Sequence, residues 1–158
     1  MPYVYSLAPA TSSQTNGAAN TETNHLRTFT GAARSAAINA LYVFGKGAGL
    51  TAISGIGYRL KRMSAASTVG TDLARNPRSP NYPAAALGAN TLPTNGTAAA
   101  YQLAIGSGAA GPGGWVAPNP DSMIQLEAGN SGGNGNVDLF SASGSASLFF
   151  EYSLEFQE

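Results

Sequence analysis

Leu148-Phe-Phe-Glu-Tyr-Ser-Leu-Glu-Phe-Gln157 reads as a strand before anything else is known of the chain. Leu148, Phe150, Tyr152, Leu154 and Phe156 take every second position, while Glu151, Ser153, Glu155 and Gln157 take the alternate ones. Successive side chains of an extended chain point to opposite faces, so this pattern predicts a long strand with one face on a core and one on solvent. The same period recurs upstream. Ile56, Tyr58 and Leu60 alternate with Arg59 and Lys61, and Ala36, Ile38, Ala40, Tyr42 and Phe44 form a third series. The alanines of Gly31 to Asn39 favour a helix, but Leu41-Tyr-Val-Phe44 favours extension, and we read the segment as strand.

Shorter apolar runs at Tyr3 to Leu7, Ala99 to Ile105, Met123 to Leu126 and Val137 to Phe140 predict further strands. Between them lie turn formers: Asn16-Gly17, Gly45-Lys46-Gly47, Asn95-Gly96, Gly111-Pro-Gly-Gly114 and Gly129 to Gly135. About seven short strands without alternating helices point to an all-β fold, an antiparallel β-sandwich or jelly roll with long Pro/Gly-rich loops. The whole chain, 1–158, is expected to be a single β domain. Within it, 1–30 reads as an N-terminal arm and linker, because Tyr3-Val4-Tyr5 precedes a Thr/Asn-rich stretch, and 64–98 reads as a long loop excursion holding few large apolar residues.

The chain has 158 residues, 8 basic and 8 acidic side chains, one histidine and no cysteine. Disulfides, thiolate metal sites and cysteine nucleophiles are therefore excluded. With 28 Ala and 20 Gly the supply of bulky apolar groups is thin, and charged residues are only 10% against ~25% in an ordinary soluble domain. Such a chain is expected to gain stability by packing against neighbours. All eight basic residues lie between Arg27 and Arg78, residues 79–120 carry no charge, and six acids follow from Asp121 onward. Oppositely charged ends can neutralise each other within one subunit, the simpler reading, or across a subunit boundary. The first twenty residues lack the basic and apolar regions of a signal peptide, which predicts a protein made in the cytoplasm, and no apolar run approaches the ~18 residues of a membrane span.

Motif matches fail on context. Gly106-Ser-Gly-Ala-Ala-Gly111 matches the dinucleotide fingerprint, but Pro112-Gly113-Gly114 follows where a helix must open. Gly47-Ala-Gly49-Leu-Thr-Ala52 is interrupted by Gly55 and Gly57. Gly129-Asn-Ser131-Gly-Gly133 spells a nucleophile elbow, yet the single histidine, His25, lies upstream and reads as a surface or loop residue. Glu151 and Glu155 share a strand face roughly 13 Å apart, beyond the ~5–9.5 Å of glycosidase carboxylates, although a cross-strand pair with Asp138 or Glu127 stays open. No catalytic residue, metal, cofactor or nucleic-acid partner is expected. The basic cluster Arg59, Lys61 and Arg62, backed by Arg75 and Arg78, suits an acidic protein surface better than nucleic acid, since the chain is neutral overall. Trp115, between Gly113-Gly114 and Val116-Ala-Pro118, reads either as a core plug or as an interface anchor. Tyr3 and Tyr5 complete the candidate contact residues.

Three stretches, Gly45-Lys-Gly-Ala-Gly-Leu-Thr-Ala-Ile-Ser-Gly-Ile56, Ala110-Gly-Pro-Gly-Gly-Trp-Val-Ala-Pro118 and Gly144-Ser-Ala-Ser-Leu-Phe-Phe-Glu-Tyr-Ser-Leu-Glu-Phe-Gln-Glu158, resemble small virion structural proteins of tailed bacteriophages, cyanophages included. The resemblance is to the head decoration or cement class. It implies a non-enzymatic β-rich homo-oligomer, commonly a trimer, on the capsid exterior where it bridges major capsid protein subunits, made in the host cytoplasm. A second reading is a phage tail or fibre module that binds carbohydrate through Trp115 and loop tyrosines. A third, a hydrolase built on a cross-strand carboxylate pair, is the weakest.

Overall fold

The structure, a computed structural model, describes residues 2–8, 14–15, 22–30, 34–46, 56–65, 70–85, 87–91, 97–107, 112–129, 133–143 and 149–158. In chain order the strands are β1 (Val4–Leu7), β2 (Gln14–Thr15), β3 (Thr23–Thr30), β4 (Ala36–Lys46), β5 (Ile56–Ala65), β6 (Thr71–Asp72), β7 (Arg75–Pro77), β8 (Leu87–Thr91), β9 (Thr97–Ser107), β10 (Pro112–Val116), β11 (Ile124–Leu126), β12 (Gly133–Ser143) and β13 (Phe149–Gln157). One turn of 3-10 helix, Pro120–Ser122, is capped by the Asn119 side chain accepting from the Ser122 N–H.

The expected β-sandwich is present. The first sheet runs β10-β4-β13-β1-β7, with β11 also on β4 and β2 on β13; the second runs β6-β8-β3-β12-β5-β9. Every pairing is antiparallel, and none joins two strands consecutive in the chain. Setting aside β2, β6, β7, β8 and β11, the eight remaining strands pair first with last, second with seventh, third with sixth and fourth with fifth: β1 with β13, β3 with β12, β4 with β10, β5 with β9. A long antiparallel ribbon folded over itself in this way is the jelly roll.

The C-terminal alternation does what its period requires. Phe150, Tyr152, Leu154 and Phe156 are buried, and Glu151, Ser153 and Glu155 lie on the half-buried outer face. Within the first sheet Tyr5 of β1 stacks on its cross-strand neighbour Phe156 with centroids 5.1 Å apart, and Tyr58 of β5 meets Phe150 of β13 edge-on at 5.0 Å, an aromatic contact that ties the two sheets together. Leu41 and Val43 of β4 and Val137 and Leu139 of β12 fill the remaining interior.

Two boundaries differ from expectation. The 1–30 segment is not a free arm in its described part. β1 is bonded on both sides, to β13 and β7, and β3 lies between β8 and β12. The sequence Thr23-Asn-His-Leu-Arg-Thr-Phe-Thr30 looks like a linker because it is polar, but threonine is a good strand former. Several of its polar groups find partners inside: Thr28 Oγ1 donates to the Val137 carbonyl at 2.6 Å, Thr30 Oγ1 to the Glu127 carbonyl, and Asn24 Nδ2 to Asp138 Oδ2 at 2.6 Å. The 64–98 excursion likewise carries β6, β7 and β8 and sends Leu73, Leu87 and Ala89 into the core. Leu-Gly-Ala-Asn-Thr is too short and too small-sided to show a period. Leu92, Leu148, the Asn16-Gly17 and Asn95-Gly96 turns, and most of the three glycine motifs lie outside the described residues.

Candidate interaction surfaces

The basic cluster is not a patch. Arg59 and Lys61 share the outer face of the second sheet and converge on one carboxylate, Arg59 Nη1 donating to Glu22 Oε1 at 2.5 Å and Lys61 Nζ to Glu22 Oε2. Burial alone would raise the Glu22 carboxyl, but these two bonds outweigh it and hold the group below the ordinary carboxylate range. Arg62 points the other way and donates to the Gln125 carbonyl at 2.6 Å, linking the sheets. Arg75 clamps its own turn, donating to Asp72 at 2.7 Å and to the Leu73 carbonyl at 2.9 Å. Arg78 forms an ion pair with Glu155, and Arg34 lies 3.9 Å from Glu158. Basic and acidic thirds of the sequence therefore meet within one subunit, the simpler of the two readings of the charge segregation.

The aromatic candidates divide as well. Tyr5 is a core residue, fully buried, with its hydroxyl donating to the Pro83 carbonyl at 3.0 Å, which corrects its placement among contact residues. Tyr3, two residues earlier on the same strand face, remains 37% exposed and meets Tyr82 edge-on at 5.0 Å. Trp115 stands on strand β10 rather than on a loop, half-buried and packed against the core opposite Leu41. Its environment is nearer the core plug than the displayed anchor.

His25, expected at the surface, is fully buried. Along the β3 and β12 register Leu26 faces Leu139 and Asn24 faces Phe140, so His25 is the extra residue of a bulge. The bulge turns its ring inward, edge-on to Phe150 at 4.7 Å, with Nε2 hydrogen-bonded to Ser141 Oγ at 2.7 Å. Desolvation lowers its pKa to about 4.

The two outer faces are unlike. On the second sheet, the ladder sets Asn90, Arg27, Asp138 and Lys61 opposite one another across four adjacent strands. All four are buried, between 0% and 7% exposed. The Arg27 guanidinium stacks over Phe29 at 4.4 Å and the Lys61 ammonium over Phe140 at 4.6 Å, so each cation uses an aromatic face where water is excluded. On the first sheet the arrangement is reversed. Leu41 and Val43 point inward, which turns Tyr42 and Phe44 outward beside Pro112, Gly114 and Val116 of β10. Phe44 is 46% and Val116 57% exposed. A Cβ on Gly114 would sit 3.3 Å from the Leu41 carbonyl oxygen and 3.4 Å from Tyr42 Cδ1, so this glycine lets the Tyr42 ring lie close against β10. Tyr42, Phe44, Pro112, Gly114 and Val116 carry no charge; Lys46 ends β4 two residues beyond Phe44, and the adjoining β13 carries Glu151 and Glu155.

Among the described residues no three His, Cys, Asp or Glu side chains converge as a metal-holding group. A depression of about 170 Å³ is lined by Ser35, Pro120, Gln125, Gln157 and Glu158, and the Glu158 side-chain carboxyl accepts from the Leu87 N–H at 2.6 Å. Glu155, the partner considered for Glu151, is taken by Arg78. No helix of the described residues is long and apolar enough to cross a membrane. No protein-family model, curated protein or solved structure matches the chain.

Proposed function

We propose that this chain is a non-enzymatic assembly subunit, a decoration or cement protein that lies on a viral capsid shell and bridges its subunits. The observation that carries the reading is the outer face of the first sheet, where Phe44, Tyr42 and Val116 form an uncharged, partly exposed surface bordered by Glu151 and Glu155. The outward face of an antiparallel sheet is ordinarily polar, and exposed large apolar groups gathered on one flat face mark a protein-binding surface rather than a pocket for a small substrate. The jelly-roll topology is used by capsid proteins and by lectins, so it adds plausibility without choosing a function. The carbohydrate-binding reading draws no support from Trp115, which packs against the core.

Sedimentation with purified capsid shells stripped of this protein tests the proposal. The wild-type chain co-sediments, and Phe44→Asp and Val116→Asp reduce the bound fraction at least about tenfold, since each places a charge in the contact at a cost of ~1.4 kcal/mol or more. Both positions are exposed, so circular dichroism stays unchanged. Failure of the wild-type chain to bind, or full binding by both variants, overturns the reading.

A further inference from the structure

β9 is the outermost strand of the second sheet, bonded to β5 on one side and to no strand on the other among the described residues. Natural sheets blunt such edges with charge, proline or shortness. The other edge strands among the described residues obey this, β2 and β11 by having only two and three residues. β7 has three residues, with Arg75 and Pro77; β6 has two, with Asp72; β10 has five and begins at Pro112. β9 uses none of these three, although its ladder with β5 shifts register at Leu60/Lys61, Arg62/Met63 and Met63/Ala65. Its eleven residues, Thr-Ala-Ala-Ala-Tyr-Gln-Leu-Ala-Ile-Gly-Ser, include neither a charge nor a proline. Ala98, Ala100, Gln102, Ala104 and Gly106 are exposed, and the core-facing Leu103 and Ile105 reach only half-burial. β10 comes near β9 but shares no ladder with it.

We infer that β9 is a strand-pairing edge for a second copy of this chain, joined antiparallel about a two-fold axis so that two second sheets become one continuous sheet. The choice of occupant follows from charge and length. Among the strands of eight or more residues, β3 carries Arg27, β4 Lys46, β5 Arg59, Lys61 and Arg62, β12 Asp138, and β13 Glu151 and Glu155; only β9 is neutral. Two β9 strands match in length and set no like charges opposite each other. Antiparallel self-pairing is also isologous, so each copy satisfies the same backbone groups of the other and the association closes at two. This differs from the three-fold association that the phage resemblance implies. It stands apart from the shell assignment, because it is a property of the purified chain.

The absence of cysteine makes the test clean. Single variants Ala98→Cys, Ala100→Cys, Gln102→Cys and Ala104→Cys are oxidised mildly, because opposed Cα atoms in an antiparallel pair lie ~4.5–5.5 Å apart, within disulfide reach. The variant nearest the axis crosslinks to a dimer. Light scattering gives a dimer mass for the wild-type chain, and Ala100→Lys with Ala104→Lys raises the dissociation constant at least about tenfold while circular dichroism is unchanged. A wild-type chain that is monomeric at high micromolar concentration or has a trimer mass overturns the inference. So does a dimer in which no cysteine crosslinks and the lysines change nothing.

Discussion

At the scale of the residue, His25 is the side chain whose environment departs furthest from its sequence context. A neutral imidazole with a pKa of about 4, sealed between Phe150 and Ser141, cannot take up the proton that the unfolded chain binds near pH 6.5. Its contribution to stability is complete above the unfolded value and is lost as the pH falls from there toward the folded one. Between pH 7.5 and 5 the expected loss is about 2 kcal/mol, read from urea midpoints at constant slope. His25→Leu lowers stability at neutral pH, by removing the hydrogen bond between the ring and Ser141 Oγ, and removes this pH dependence; a variant that keeps the full wild-type slope refutes the assignment. Nothing in Thr-Asn-His-Leu-Arg announced the burial, because the turn inward comes from a bulge relative to a strand more than a hundred residues away. Lys61 was obscured for a similar reason. Its alternation with Leu60 is real, but its outward face is closed over by Phe140 and Glu22.

Among the elements, the β3 and β8 pair shows how two weak strand sequences are made into one firm ladder. Phe29 lies opposite Gly88, and a Cβ added to Gly88 would fall 2.2 Å from Phe29 Cζ, so the ring rests directly on the glycine backbone. An aromatic ring covering a cross-strand glycine restores the side-chain contact that glycine lacks. The same ring carries the Arg27 guanidinium at 4.4 Å. Gly88→Ala therefore displaces the ring and loses both contacts, an expected cost of about 1–2 kcal/mol seen as a lower melting temperature. Phe29→Ala is expected to cost a similar amount, and the double variant less than the sum of the two singles. Additive losses would separate the glycine from the ring. The strand at 149–157 was legible from period alone, whereas β8 was hidden because alanine, glycine and asparagine carry too little contrast in hydropathy to show which face is buried.

For the molecule as a whole, the accessible surface is 7390 Å², and a folded monomer of 16.0 kDa is expected to expose ~7,400 Å². The thin supply of bulky groups suggested a chain that leans on neighbours to fold, yet this chain encloses itself as fully as an ordinary monomer. Small side chains achieve this because tight sheet packing needs close approach more than volume. Association is then an addition to a finished domain, so dilution should separate copies without changing the far-ultraviolet spectrum. Folding itself is expected to be slow. No described strand pairs with its chain neighbour, and every ladder closes a long loop, so refolding from urea should take milliseconds to seconds or longer. A microsecond phase accounting for the whole amplitude would contradict the topology.

The chain's own pattern determined that it is all-β, where its strongest strands lie and which side of each faces the core, because side-chain period is a local property of an extended backbone. Tertiary structure alone decided which strands meet, that His25 and Tyr5 are interior, that the basic cluster divides between Glu22 and Gln125, and that Phe44 and Val116 share one open face. Those outcomes depend on pairings between residues far apart in sequence, where a one-residue bulge is enough to move a side chain from one face to the other.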